Sequence, residues 1–368
     1  MFVFNYIYQF LRLIRTTNLL IIAATFYLMR WFVVYPLIHQ LNKIHFNAFE
    51  KTETIVTFQF EPQLSGFYFF LLVLATVLIA GAGYVINDYF DVKSDLINKP
   101  KRVIVEKHIS RKATIIIHIC LNFIGVLLGF IVSTKAGIFK FGFIFLMIVG
   151  VLFYYSFTYK TQLLIGNLII SLLIGFIPII VVIFEIPSMN ANYNLTLIEY
   201  SISFSYVFHW LAIFALFAFL INFIREVIKD LQDVQGDVVI SKQTLPIVFG
   251  VKTSKIVVIS LILFVIGLIS LIFIKILPEK VMFTIENMEN AKLAWFQKIS
   301  PYKIGLVYMI TFLIIPLMIL TIMVGRASSK LQWKRASVFT KVIMILGLFF
   351  AFVISFVFNN YQIFYNFN

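Results

Sequence analysis

Acidic residues are scarce in this chain of 368 residues, sixteen in all, and half of them fall in two short clusters. The first reads Asn87-Asp88-Tyr89-Phe90-Asp91-Val92-Lys93-Ser94-Asp95, with Glu106 a little beyond it. The second holds Glu226, Asp230, Asp233 and Asp237. On a helix, Asn87, Asp91 and Asp95 share one face with Asp88 beside them, and Glu226, Asp230, Asp233 and Asp237 form one stripe. Carboxylates stacked on one face repel unless something neutralises them. Lysine is mostly absent from those same faces, so a divalent cation is the natural partner. Carboxylate oxygens suit Mg²⁺, which takes one or two carboxylates per ion and completes its shell with water and phosphate oxygens. Asn87, Asp88, Asp91, Asp95, Glu226, Asp230, Asp233 and Asp237 are therefore the expected metal ligands, gripping one polyanion from two sides.

Basic residues sit close to both clusters. Lys99, Lys101 and Arg102 follow the first; Arg225, Lys229 and Lys242 flank the second; Lys160 ends the run Tyr154-Tyr155-Ser156-Phe157-Thr158-Tyr159-Lys160. A diphosphate is held by such point charges and forks. Arg102, Lys160, Arg225, Lys229 and Lys242 are the expected diphosphate contacts, while Lys101 and Lys107 are assigned to membrane topology.

The elements that carry these residues are membrane spans. The chain is 61% hydrophobic and 12% charged, with a mean hydropathy of +0.99. A soluble domain carries about 25% charged residues. The formal net charge of +14 is read as basic loops on an anionic leaflet and not as nucleic-acid binding. The lone cysteine, Cys120, excludes an internal disulfide and a cysteine-based metal cluster, and its apolar run makes it an expected core residue. A span needs roughly 20 mainly apolar residues. Nine runs qualify: 17–38, 66–87, 112–134, 137–157, 163–185, 203–224, 254–275, 304–324 and 339–358. Arg12 and Arg15 precede a run without a small-residue cleavage site, so that run is read as the first span, not a secretory signal.

With nine spans the segments on one side hold twenty Lys and Arg and those on the other hold nine, Arg30 inside the first span aside. The positive-inside rule then places the N-terminus inside and the C-terminus outside. The second and sixth spans run in the same direction, so both acidic stripes lie at one face of the membrane. The expected fold is all-α: a polytopic bundle of about nine helices around a central cavity, one domain over residues 1–368. The outer segments near 40–65, 186–202 and 276–303 are longer than a hairpin needs and leave room for short surface helices.

At these residues the chain resembles the UbiA superfamily of intramembrane prenyltransferases. That superfamily's first motif, N-D-x-x-D-x-x-x-D, is matched by Asn87, Asp88, Asp91 and Asp95, and its second acidic motif also lies four spans later. Arg225–Asp237 followed by Lys242-Gln243-Thr244-Leu245-Pro246 looks like the branch that includes digeranylgeranylglyceryl phosphate synthases. An early Arg and Asn are matched by Arg15 and Asn18, and Gly166-Asn167 after Lys160 also fits. One segment departs. Asn98-Lys99-Pro100-Lys101-Arg102 is kept, but Val103-Ile104-Val105-Glu106-Lys107 replaces a proline-stiffened turn.

The resemblance implies a Mg²⁺-dependent transfer of a prenyl group from a prenyl diphosphate to a lipophilic acceptor. The best-matching branch points to a geranylgeranyl donor and geranylgeranylglyceryl phosphate as acceptor; an aromatic ring, as in quinone biosynthesis, is the alternative. Asp91, Asp95, Asp233 and Asp237 are the expected catalytic carboxylates, with Asn18 and Tyr154 as further site residues. Aromatic faces stabilise an allylic cation, and Tyr89, Tyr154 and Tyr155 stand nearest the motifs. The expected setting is a bacterial inner membrane with the site on its cytoplasmic side, and no obligatory protein partner. A cation-coupled transporter is the rival from another class, since membrane ionisable residues also mark ion pathways. Its sites usually lie near the bilayer midplane in broken helices, whereas these stripes lie at span ends.

Overall fold

The computed structural model describes residues 2–47, 53–101, 103–199, 202–276 and 301–360. Among them, nine helices are long and apolar enough to cross a membrane. Helix α1 (Phe2–Leu13) leads to the first of these, α2 (Thr16–Leu41). The others are α3 (Gly66–Asn98), α4 (Arg111–Lys135), α5 (Phe139–Phe157), α6 (Ile165–Asn192), α8 (Ser205–Val239), α10 (Gly250–Ile276), α11 (Lys303–Arg326) and α12 (Lys330–Asn360). Two short helices, α7 (Asn194–Glu199) and α9 (Leu245–Val248), lie in connections. The membrane fold is all-α, as expected. The segment after α2 had room for a short surface helix and instead pairs β1 (Lys43–Asn47) antiparallel with β2 (Glu53–Thr57). Of the expected outer segment 276–303, residues 277–300 lie outside the described ones.

The helices start and bend for local reasons. Ser65 caps α3 by accepting from the Tyr68 N–H, and Ser110 caps α4 by accepting from the Ala113 N–H. Wider π-turns occupy Arg30–Val34 and Met309–Ile314. Each lies just before a proline, Pro36 or Pro316, whose ring would clash with the carbonyl four residues back; widening the turn relieves that clash.

Two helices run well past the expected spans. α3 has 33 residues and α8 has 35. At 1.5 Å per residue each is roughly 50 Å long, against a hydrocarbon core of about 30 Å. Both acidic clusters lie in these continuous extensions, so the stripes expected from spacing exist as helix faces.

The charge in the first span has a partner that local sequence does not reveal. Arg30 is 2% exposed and Glu185 of α6 is fully buried. Arg30 Nη2 lies 3.0 Å from Glu185 Oε1 and also donates to the Leu64 carbonyl. The Leu64 N–H donates to Glu185 Oε2 at 3.2 Å, and the guanidinium sits 4.2 Å over the Phe69 ring. This cluster ties α2, α3 and α6 together at the end of the bundle away from the acidic stripes. Cys120, expected in the core, instead lies exposed on α4. A small thiol is tolerated on a lipid-facing helix surface as readily as inside.

Removing one partner of a buried ion pair costs about 3–5 kcal/mol because the other charge is stranded. Arg30→Met should therefore lower the thermal unfolding midpoint in detergent more than the double variant Arg30→Met/Glu185→Met does. A double variant less stable than the single one would contradict this.

Candidate active site

The extensions of α3 and α8 face each other across a cavity of about 1030 Å³. All eight residues expected as metal ligands line it: Asn87, Asp88, Asp91, Asp95, Glu226, Asp230, Asp233 and Asp237. So do Lys160, Arg225, Lys229, Lys242 and Asn18. Arg102 lies outside the described residues. Tyr154 does not line the cavity; its side chain is 57% exposed and packs beside Phe153 and Tyr159. The next residue, Tyr155, takes the inward position, since adjacent helical residues point about 100° apart.

The basic residues expected near the clusters pair directly with the carboxylates. Lysines are scarce along those helix faces, but other elements bring them in. Arg15, between α1 and α2, donates to Asp88 Oδ1 at 2.6 Å. It does so from a left-handed backbone conformation (φ 54°), uncommon for a residue other than glycine. Lys160 Nζ donates to Asp91 Oδ1 at 2.7 Å, and Lys99 Nζ to Asp233 Oδ2 at 2.5 Å. Lys242 Nζ reaches both Asp230 Oδ1 (3.2 Å) and Asp237 Oδ2 (3.3 Å). Burial works against the Lys242 charge, but Asp230 and Asp237 outweigh it and raise the ammonium pKa above the usual lysine range. Arg225 Nη1 and Lys229 Nζ both pair with Glu226. Among the described residues Asp95 alone of these carboxylates has no ion pair.

Neutral amides complete the site. Asn87 Nδ2 donates to Asp91 Oδ2 at 2.7 Å, leaving its buried Oδ1 without a partner. Asn167 donates to Asp230 Oδ2 at 2.7 Å. Asn18 donates to the Tyr84 hydroxyl and accepts from Lys341 Nζ of α12 at 2.7 Å. Lys341 and Asn98 were not anticipated as site residues. Lys341 lies in the last span, and no local pattern links it to residues more than a hundred positions away.

Two turns place the lysines. Lys160 sits in a 3₁₀ turn, Tyr159–Thr161, packed against the start of α6. A Cβ on Gly166 would lie 2.7 Å from Lys160 Cα, so the turn fits only because residue 166 has no side chain. The Gln243 N–H donates to the Thr161 carbonyl at 2.8 Å, binding the Lys242 loop to the Lys160 turn.

The stripes themselves are held together by Asn98. Its buried amide donates to the Asp233 carbonyl at 2.9 Å and accepts from the Gly236 N–H at 3.1 Å. A Cβ on Gly236 would stand 2.3 Å from Asn98 Nδ2 and 2.8 Å from the Ser94 carbonyl. Over the cavity, the segment that departs from the familiar motif forms an apolar anchor. Ile104, Val105 and Ile109 are buried with Leu13, Val85 and Val92, Val103 beside them is also buried, and Ile104 reaches the cavity.

The donor set fits a hard divalent cation. Every candidate ligand is a carboxylate or amide oxygen, the Asn87 Oδ1 is free, and carboxylates exceed their cationic partners beside α3 and the end of α8. Among the described residues no three acidic groups already form a metal cage. Mg²⁺ needs only one or two carboxylates when phosphate and water supply the rest.

A family model described as the UbiA prenyltransferase family matches residues 56–283. A digeranylgeranylglyceryl phosphate synthase from Thermococcus sibiricus is 33% identical over 185 residues, which is 50% of this chain and 57% of that protein. One from Methanothermobacter thermautotrophicus is 29% identical over 235 residues, 61% of this chain and 75% of that protein. The matched stretch thus spans little more than half the length of the first of these relatives. In fold, the chain is similar to a solved structure described as digeranylgeranylglyceryl phosphate synthase in membranes (TM-score 0.55, 19% identity, 95% of this chain and 98% of that one). It is also similar to a UbiA homolog from Aeropyrum pernix K1 in its apo form (TM-score 0.52, 13% identity, 88% of this chain and 97% of that one).

Gly236→Ala should force α3 and α8 apart and lower the unfolding midpoint. Adding Asn98→Ala should recover part of that loss by clearing the amide that the new methyl strikes. A Gly236→Ala protein as stable as the parent would show that the helices are not in close contact there.

Proposed function

The chain belongs to the UbiA prenyltransferase family, and from that premise we propose that it transfers a polyprenyl group from a prenyl diphosphate to a lipophilic acceptor with Mg²⁺ as cofactor. The best donor is geranylgeranyl diphosphate and the best acceptor geranylgeranylglyceryl phosphate, a choice supported by the names of its relatives. The observation that carries the reading is the pair of acidic helix faces opposed across one cavity, each supplied with cations from other elements. The whole chain acts as one domain. The cavity faces the cytoplasm in a plasma membrane, with the N-terminus inside and the C-terminus outside; the lysine-rich ends of α3, α8 and α12 all gather at the cavity. The lipid bilayer is the chain's surroundings, and the reaction calls for no nucleic acid and no protein partner.

Asn87, Asp88, Asp91 and Asp95 on one side, and Glu226, Asp230, Asp233 and Asp237 on the other, would hold Mg²⁺. Bound there, Mg²⁺ supplies Lewis-acid neutralisation of diphosphate charge. Lys160 and Lys242, here paired with Asp91, Asp230 and Asp237, would donate charge-assisted hydrogen bonds to the phosphate oxygens. These donors stabilise the charge that builds on the leaving group. The allylic C–O bond breaks, the diphosphate keeps both electrons, and an allylic cation remains. The faces of Tyr84 and Tyr155, both on the cavity wall, stabilise it. The apolar anchor at Val103–Val105 restricts entry of water, which would otherwise quench the cation. The acceptor hydroxyl oxygen then forms the new C–O bond and gives its proton to a carboxylate of α8, Asp233 or Asp237.

The test is a transfer assay on purified protein in nanodiscs with labelled geranylgeranyl diphosphate, offering geranylgeranylglyceryl phosphate and several aromatic acids. Transfer to the glycerol phosphate that EDTA abolishes and Mg²⁺ restores is expected. Transfer only to an aromatic acid would replace the acceptor, and no transfer to any acceptor would overturn the reading. Asp91→Asn should lower the rate roughly 100-fold or more, the scale of losing a preorganised charge in a catalytic site, while leaving the unfolding midpoint near that of the parent.

A further inference from the structure

Charge around the cavity is unevenly divided. Beside α3 and the end of α8, Asp88, Asp91, Asp95, Asp230, Asp233 and Asp237 outnumber the cations that pair with them. Where α8 meets α12 the excess reverses. Glu226 is shared by two cations, Arg225 and Lys229. The Arg225 Nε is buried without a hydrogen-bond partner. Lys341 Nζ donates to the neutral Asn18 Oδ1, and among the described residues it has no carboxylate of its own. It also lies within the field of Arg225, a like charge. Two neighbouring cations left short of counter-charge in a partly dry site are unfavourable until an anion joins them.

Arg225, Lys341 and Asn18 line both the main cavity and a second, apolar cleft of about 100 Å³. Its walls include Ile22, Ile174, Phe214, Phe217, Met344 and Leu348. Asn222, fully buried on the same wall, has an Oδ1 without a partner. A ligand that suits this place has an anionic head for the two cations and an apolar chain for the cleft.

We propose that Arg225 and Lys341 form a second anion subsite, which takes the phosphate monoester of the lipid acceptor while the metal-bound diphosphate occupies the acidic side. The proposal rests on the reading of the chain as a prenyltransferase with a lipid acceptor. It assigns Arg225 to the acceptor and not to the diphosphate. A phosphate monoester carries up to two negative charges, matching two cations, and needs no metal. The diphosphate, escorted by Mg²⁺, is drawn to the side where negative charge is in excess. Separate subsites keep the two phosphate groups from competing and leave the acceptor hydroxyl between them.

The test measures binding of dodecyl phosphate and dodecanol to the full chain in nanodiscs, without metal, and of geranylgeranyl diphosphate with Mg²⁺. A charge-assisted hydrogen bond contributes enough that the parent should prefer the phosphate to the alcohol about tenfold or more. Lys341→Met should lose that preference and Lys341→Arg should keep it, with the Lys341→Met affinity for diphosphate unchanged within about twofold. The subsite is overturned if the parent shows no preference, if the preference survives in both Lys341→Met and Arg225→Met, or if Lys341→Met loses diphosphate affinity to the same extent. If Lys341-dependent binding is seen but the parent transfers nothing to geranylgeranylglyceryl phosphate, the subsite stands and the acceptor identity falls. If transfer occurs, and Lys341→Met raises the acceptor KM equally for the phosphate and its alcohol analogue, the function stands and the subsite falls.

Discussion

Two rows of carboxylates cannot face each other inside a membrane protein unless positive charge comes between them, and most of the architecture at this end of the bundle supplies it. Neither acidic helix brings enough cations on its own faces. Arg15 comes from the junction before α2, Lys160 from the turn before α6, Lys242 from the loop after α8. Each contact is a direct ion pair in a partly dry site, where an unpaired partner would cost several kcal/mol. The cavity is thus held by the same carboxylates and cations that a polyanion would recruit. Binding exchanges partners without leaving charges stranded.

That exchange requires the two helices to be close and fixed. Asn98 does this by inserting its amide into the backbone of α8, donating to one carbonyl and accepting one N–H. Gly236 leaves the space that the amide occupies, and Gly166 does the same for the Lys160 turn. These are backbone contacts, insensitive to rotamer changes in the acidic side chains. The acidic side chains can therefore change rotamer while the helices stay in place. At the far end the Arg30–Glu185 pair joins α2 to α6, so the bundle is clamped at both ends and its interior remains open to an apolar chain.

The loop over the cavity shows how one task is met by different chemistry. A proline-stiffened turn limits motion by restricting backbone dihedrals. Here Ile104, Val105 and Ile109 limit it by burial against Leu13, Val85 and Val92. Glu106 at the tip adopts φ 69° and is held by Arg111. The arginine of the motif is retained in sequence.

Much of this was legible in the amino-acid sequence. Hydropathy located nine spans because a bilayer imposes a length on any apolar helix, and the spacing of Asp88, Asp91 and Asp95, and of Asp230, Asp233 and Asp237, put each set on one helix face. Parity alone put both faces at one side of the membrane. These are properties of a single helix or of the order of helices along the chain, and no packing is needed to read them. The partners were not legible. That cations from three other elements neutralise the stripes, that Arg30 meets Glu185, that Lys341 reaches Asn18, and that Tyr155 and not Tyr154 faces the cavity all depend on how helices distant in sequence rotate and pack. A helical period says which residues share a face, but only tertiary contacts decide what that face meets.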